Sequence, residues 1–252
     1  MTITKNVVLI TGGATGIGLA LAEAFLQKGN EVIICSRRKN KLDEARYKLP
    51  RLYTFQSDIS KDEERKRIAN WVTSEFGNLN ILVNNAGIQN EIDFRKGIAD
   101  LQNNGNEIDI NFEAPVYLSA IMIPHLMKHK EAAIINISSG LGFAPISIMP
   151  VYCATKAALH SFSLSLRHQL RNTSIKVFEI IPPTVDTELD RGARDKRGQT
   201  DRGIKPEIVA SAAIEAVENN KYEIAVGQAQ FLVDSSRKEP DILFGRMNER
   251  FN

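Results

Sequence analysis

Cysteine is scarce. Cys35 and Cys153 are the only two among 252 residues, too few for a disulfide framework and suited to a reducing compartment. Neither sign of charge dominates: 32 basic against 30 acidic side chains leave a formal +2, so no nucleic-acid footprint stands out. Long apolar runs are missing as well. Nothing approaches the ~18 uninterrupted apolar residues of a membrane span. The early run Val7-Val8-Leu9-Ile10 is cut off by Thr11-Gly12-Gly13, too short for the core of a secretion signal. Internal repeats, low-complexity segments and splitting linkers are equally absent. Together these absences point to one soluble, cytoplasmic domain over residues 1–252, with no nucleic-acid or membrane partner. The four histidines, His125, His129, His160 and His168, fall in two pairs at helical spacing with no acidic or thiol set beside them, so no metal is expected.

What is present is alternation. Strand candidates are Val7–Ile10, Glu31–Cys35, Leu52–Gln56, Ile81–Val83, Ala133–Ile137, Lys176–Ile180 and Glu223–Val226. Between them run helical patterns at Gly16–Lys28, Asn40–Leu49, Lys61–Phe76, Asn106–His129, Pro150–Arg171 and Pro206–Asn219. Continuously apolar strands separated by helices predict an α/β fold: a doubly wound parallel sheet of about seven strands with helices on both faces. Residues 184–205 read as a long loop, of the kind that covers a substrate. The weakly patterned tail after Val226 is assigned no structure.

Glycine is concentrated where the first strand ends. Thr11-Gly12-Gly13-Ala14-Thr15-Gly16-Ile17-Gly18 sets Gly12, Gly16 and Gly18 between a buried strand and a helix. There, backbone N–H groups and a helix N-terminus can approach a pyrophosphate. After the second strand comes Cys35-Ser36-Arg37-Arg38. An acid at this point would bind the ribose 2′-OH of NAD. A hydroxyl with two guanidiniums instead suits a 2′-phosphate, so NADP(H) is favoured over NAD(H). The alternative is a solvated basic turn leading into Lys39 and Lys41.

Tyr152 and Lys156, at i and i+4 of a helix pattern, share a face. A phenol with an ordinary pKa near ~10 needs a neighbouring cation to exchange protons at neutral pH. Ser139 closes the preceding Ile-rich strand and can donate to a carbonyl oxygen as it gains charge.

In this order the residues resemble those of the short-chain dehydrogenase/reductase family, in its short single-domain branch. The likeness covers roughly residues 5–190 and implies a Rossmann fold. Thr11–Gly18 matches the family's glycine turn, with Ala14, Thr15 and Ile17 in contact with the cofactor. Asn84-Asn85-Ala86-Gly87 matches its Asn-Asn-Ala-Gly, placing Asn85, Ala86 and Gly87 at the cofactor. Asp58 and Ile59 match its adenine side, and Asn111 its relay asparagine. Asn111, Ser139, Tyr152 and Lys156 stand at separations of 28, 13 and 4, as the family's tetrad does. In Pro182-Pro183-Thr184-Val185-Asp186-Thr187, residues Pro182, Val185 and Thr187 would meet the nicotinamide. Pro183 departs from the usual glycine, removing an N–H and fixing φ. That variant is similar to a bacterial subgroup, the DltE-like oxidoreductases, a likeness that names no substrate.

The resemblance implies hydride transfer between nicotinamide and a carbonyl or secondary alcohol, with Tyr152 and Lys156 also touching the cofactor. The rival reading is an NADP-binding redox sensor or interaction protein with little turnover, for which an intact tetrad has no use. A nucleotide-sugar epimerase would space its glycines differently and carry a further domain. The expected pocket wall, Ile88, Gln89, Gly140–Pro145, Ile146, Ile148 and Met149, is mostly apolar, although Phe143, Ile146 and Met149 fit a core equally well. Arg191, Arg194 and Arg197 belong to a run of mixed charge, better suited to a solvated flap than to an anionic substrate. Asn106–His129 and Pro150–Arg171 carry apolar residues round more than one face, which predicts a homodimer or homotetramer.

Overall fold

A computed structural model describes residues 1–103, 106–189 and 191–251. Seven strands form its sheet: β1 (Val7–Thr11), β2 (Glu31–Ser36), β3 (Tyr53–Gln56), β4 (Leu79–Asn84), β5 (Ala132–Ile137), β6 (Ile175–Ile181) and β7 (Glu223–Ala225). All pairings are parallel, in the order β3-β2-β1-β4-β5-β6-β7. The helices are α1 (Gly16–Gln27), α2 (Lys39–Lys48), α3 (Asp62–Glu75), α4 (Ile98–Asn103), α5 (Ala114–Leu126), α6 (Pro150–Gln169), α7 (Arg191–Lys196), α8 (Pro206–Glu218), α9 (Gln228–Lys238) and α10 (Pro240–Asn248).

Alternation along the strands builds two cores. Val8, Ile10, Val32, Ile34, Ile135 and Phe178 face α1 and α8. Val7, Leu9, Ile33, Leu82, Ile134 and Val177 face α3, α5 and α6. The chain winds outward from β1 in one direction and from β4 in the other. The reversal between these strands opens a crevice at their carboxyl ends.

The predicted doubly wound sheet is present, and three details differ from expectation. The single helix predicted over Asn106–His129 contains a widened π turn at Asp109–Glu113 before α5. Pro115 has no N–H to offer the carbonyl of Asn111 one turn earlier, and the ladder loosens there. The segment 184–205 is not all loop: it holds α7, and Val185 pairs with Ile204 across its base. The tail given no structure forms α9 and α10. No helix among the described residues is long and apolar enough to cross a membrane.

Candidate active site

A cleft of about 920 Å³ lies along the carboxyl ends of the strands. Its floor begins at the glycine turn. Gly12 takes φ +63°, and a Cβ there would stand 2.7 Å from the Cα of Ala86. Gly16 takes φ +54°, with a Cβ only 2.9 Å from Thr187 Cγ2. A side chain at either position would be strained and would push apart the segments that line the cleft. Gly18 lies beneath the turn rather than on the cleft, pressed against Asn85. The side chain of Thr11, which sequence reasoning passed over, organises this junction. Its hydroxyl donates to the Val83 carbonyl (3.3 Å) and accepts from the N–H groups of Asn85 and Ala86 (3.0 and 3.1 Å). Asn85 donates back to the Thr11 carbonyl at 2.9 Å.

Ala14, Thr15, Gly16 and Ile17 line the cleft, as do Ser36, Arg37, Arg38, Asp58 and Ile59 at the end of β2 and the turn after β3. Arg38 reaches over the glycine turn, donating to Thr15 Oγ1 (3.1 Å) and pairing with Glu188 (2.8 Å). Ser36 Oγ accepts the Arg38 N–H. Asp58 accepts from the N–H and hydroxyl of Ser60 (3.2 and 2.8 Å), which fixes the turn after β3. These groups fit a dinucleotide: a backbone cradle that a Cβ would fill, with two guanidiniums beside it.

The second cluster lies across the cleft. Tyr152 and Lys156 are both nearly buried on α6, with the lysine Nζ 5.8 Å from the phenol ring centre. Lys156 Nζ donates to the Ile137 carbonyl at the end of β5 (2.8 Å). Burial pushes its pKa down to about 8, against the opposing field of Glu179. Ser139 opens a short helical turn, its Oγ accepting the Leu141 N–H at 3.1 Å. Asn111 is fully buried and does not line the cleft. Its amide brackets Ile88, accepting from the N–H (2.8 Å) and donating to the carbonyl (2.9 Å), and also donates to Thr155 Oγ1 (3.2 Å). Asn85, Ala86, Gly87, Pro182, Val185 and Thr187 all line the cleft. The structure thus brings the predicted residues together, with Gly18 and Asn111 just behind the wall.

The wall expected to be apolar departs further from expectation. Ile88, Gln89, Gly140, Leu141 and Ile146 line the cleft, while Phe143 packs against Ile181, Ala229 and Val233. Met149 and Ile148 join Ile146 and Tyr152 in a small cluster with Met247 and Phe251. Arg191 and Arg194 line the opening, and Arg197 pairs with Glu91. Unforeseen from sequence are Gln228, Phe231, Leu232 and Met247, contributed by α9 and α10. Behind the wall, Glu107 accepts the Asn90 N–H at 3.0 Å, and burial pushes its carboxyl up to about 7.

Comparison with known proteins settles the class. A family model described as short chain dehydrogenase matches residues 6–198. The chain belongs to the short-chain dehydrogenase/reductase family and is an oxidoreductase with a nicotinamide-binding fold. It is 52% identical over 252 residues, spanning 100% of both chains, to the uncharacterized oxidoreductase DltE of Bacillus subtilis (strain 168), in keeping with the subgroup read from Pro182–Thr187. A short chain dehydrogenase from Burkholderia cenocepacia J2315 in complex with NADP superimposes with a TM-score of 0.83 at 25% identity, covering 98% of this chain and 99% of the other. A short chain dehydrogenase/reductase from Burkholderia phymatum in complex with NAD reaches 0.84 at 19% identity, covering 98% and 97%.

Proposed function

We propose that this chain is an NADP(H)-dependent oxidoreductase acting on a carbonyl or secondary alcohol. The observation that carries the reading is the opening of Ser139, Tyr152 and Lys156 onto the same cleft as the glycine turn. A bound nicotinamide would supply or accept the hydride. Tyr152 gives or takes the proton at its phenol oxygen. Lys156 stabilises the phenolate by its charge and holds the ribose. Ser139 donates to the substrate oxygen as it becomes negative. Asn111 holds the Ile88 backbone at the cleft and supports the proton relay from behind. Arg37 and Arg38 carry the preference for NADP(H), through charge-assisted bonds to a 2′-phosphate. The segment 184–205, tied at its base by Val185 and Ile204, serves as the substrate-side cover.

NADPH consumption against a panel of ketones, aldehydes and quinones tests this reading. Turnover is expected with at least one class. Cofactor binding without any turnover would instead favour a redox-sensing or interaction protein. We also infer a cytoplasmic homodimer or homotetramer paired through α5 and α6. Tyr117 and Leu164 stand 50% and 43% exposed on these helices, and the tail that could have covered them packs at the cleft instead. Light scattering should give a mass of at least twice 28.1 kDa; monomeric active protein would refute the pairing.

A further inference from the structure

Lys156 is a buried ammonium with an incomplete environment. Its Nζ has the Ile137 carbonyl as acceptor, and a buried charge is stable only with a compensating partner. The family tetrad contains no carboxylate. One stands on the strand beside the carbonyl that holds Lys156. Glu179 on β6 is fully buried, its Oε2 is 2.8 Å from His160 Nδ1, and its Oε1 has no hydrogen-bond partner. Lys156 and His160 lie one turn apart on the same face of α6. In the β5–β6 register Asn136 pairs with Glu179 and Ile137 with Ile180. Glu179 therefore stands on the neighbouring strand, one residue before the partner of the carbonyl that holds Lys156. Asn136 and Glu179 both reach toward α6, to Ser163 and His160.

We propose that Glu179 is a positioning residue for the reaction, which holds Lys156 in its cationic form, and that His160 regulates how much of the carboxylate's charge Lys156 feels. This rests on the role given to Lys156 above. The charged groups around the pair are few. Tyr152 faces Lys156 from α6. Glu223 of β7 approaches His160 and is itself paired with Arg237 of α9 at 3.1 Å. Arg167 of α6 lies nearby, donating to the Val177 and Tyr222 carbonyls. His160, Glu179 and Glu223 place ligand atoms within 4.8 Å of one another. Arg237 already pairs with Glu223 there and His160 with Glu179, so the cluster reads as a polar network rather than a metal nest.

The pair works as a buffer. Its hydrogen bond to Glu179 raises the His160 pKa above the ordinary imidazole range. While the imidazole is protonated it neutralises much of the carboxylate. When that proton leaves, the full negative charge faces Lys156, strengthening its hold on its own proton as pH rises. The catalytic ammonium thus survives into a pH range where burial alone would discharge it.

A double-mutant cycle on the cofactor-free protein tests the coupling without relying on turnover. Glu179→Gln, Lys156→Met and the double variant are unfolded in urea at pH 7 and pH 10. Coupling of roughly tenfold in the unfolding constant is expected at pH 7, shrinking severalfold at pH 10 as the lysine discharges. Additive effects at pH 7 would overturn the proposal even if the enzyme turns over normally. With a substrate in hand, Glu179→Gln should move the alkaline limb of kcat/KM down by about one pH unit or more, and Glu179→Asp should restore part of it. If Glu179→Gln does not fold, His160→Gln decides. Removing the imidazolium leaves the carboxylate unopposed at pH 7 as well, so the destabilisation caused by Lys156→Met at pH 7 must be larger in the His160→Gln background than in the wild type; an equal or smaller effect refutes the proposal. Normal coupling with no turnover on any carbonyl would spare the electrostatic link and reject the assigned reaction.

Discussion

The two walls of the cleft are built differently. The wall proposed for the cofactor comes from short stretches at the ends of adjacent strands: Thr11–Ile17 after β1, Ser36–Arg38 at β2, Asn85–Gly87 after β4. Its contacts are backbone-close, so that one added carbon at Gly12 would collide with Ala86. The wall proposed for the substrate is assembled from segments far apart in the chain: residues 88–90, parts of 140–146, 184–189 and 191–202, and the two C-terminal helices. It contains exposed apolar side chains such as Phe231, 61% accessible. A wall made of local turns leaves spacing rules in the sequence. A wall made by docking distant segments leaves almost none, because each segment needs only a few buried side chains to hold it.

If this contrast is right, the largest loss should come from the helix where the two walls meet. Tyr152→Phe removes one oxygen and leaves the ring packed with Ile146 and Met149. Cofactor affinity and fold should persist while turnover falls on the order of 10²-fold or more, the scale of one positioned acid. Stopped-flow or steady-state rates on a verified substrate, paired with a cofactor titration, read both quantities. Near-normal turnover would remove Tyr152 from the mechanism.

A smaller effect is expected on the cofactor wall. Arg37→Asp places a carboxylate where a 2′-phosphate would lie and gives a 2′-OH an acceptor. NADPH should bind about 10-fold or more weakly and NADH relatively better, as fluorescence titration would show. A wild-type protein that already prefers NADH would return Arg37 to the solvated surface, leaving Arg38 to its pairing with Glu188.

The same contrast explains what could be read from the sequence. The seven strands and the doubly wound order were legible because both faces of the sheet are covered, so β1 is apolar at every position but its last. Tyr152, Lys156 and Ser139 were legible through order and spacing. The C-terminal helices were not. α9 buries only Ala229 and Val233, one turn apart and too small to register as a stripe. α10 is fastened largely by Asn248, whose side chain accepts the Ser147 N–H and donates to the Pro145 carbonyl (3.2 Å), a contact across a hundred residues that no local pattern carries. Thr11 and Glu179 were overlooked for a related reason. Each looks like an ordinary strand residue until the neighbouring strand or helix supplies its partner.

The smallest effect should come from the side chain that best represents the assembled wall. Phe231 lines the cleft from α9 with most of its surface in water. Phe231→Ala therefore removes little buried area and should change stability by no more than about 0.5 kcal/mol. It comes from α9 rather than from the glycine turn, so NADPH affinity should stay within about twofold of wild type. What it can change is the apolar contact offered to a bulky substrate, worth roughly 1–2 kcal/mol if the ring covers one. KM for large hydrophobic ketones should then rise several-fold while small ones are unaffected, and the ratio of the two separates a substrate contact from a general loosening of α9. Equal changes for both sizes, or a parallel loss of NADPH affinity, would show that the C-terminal helices support the cofactor wall as well. The division of the cleft into two independently built halves would then have to be abandoned.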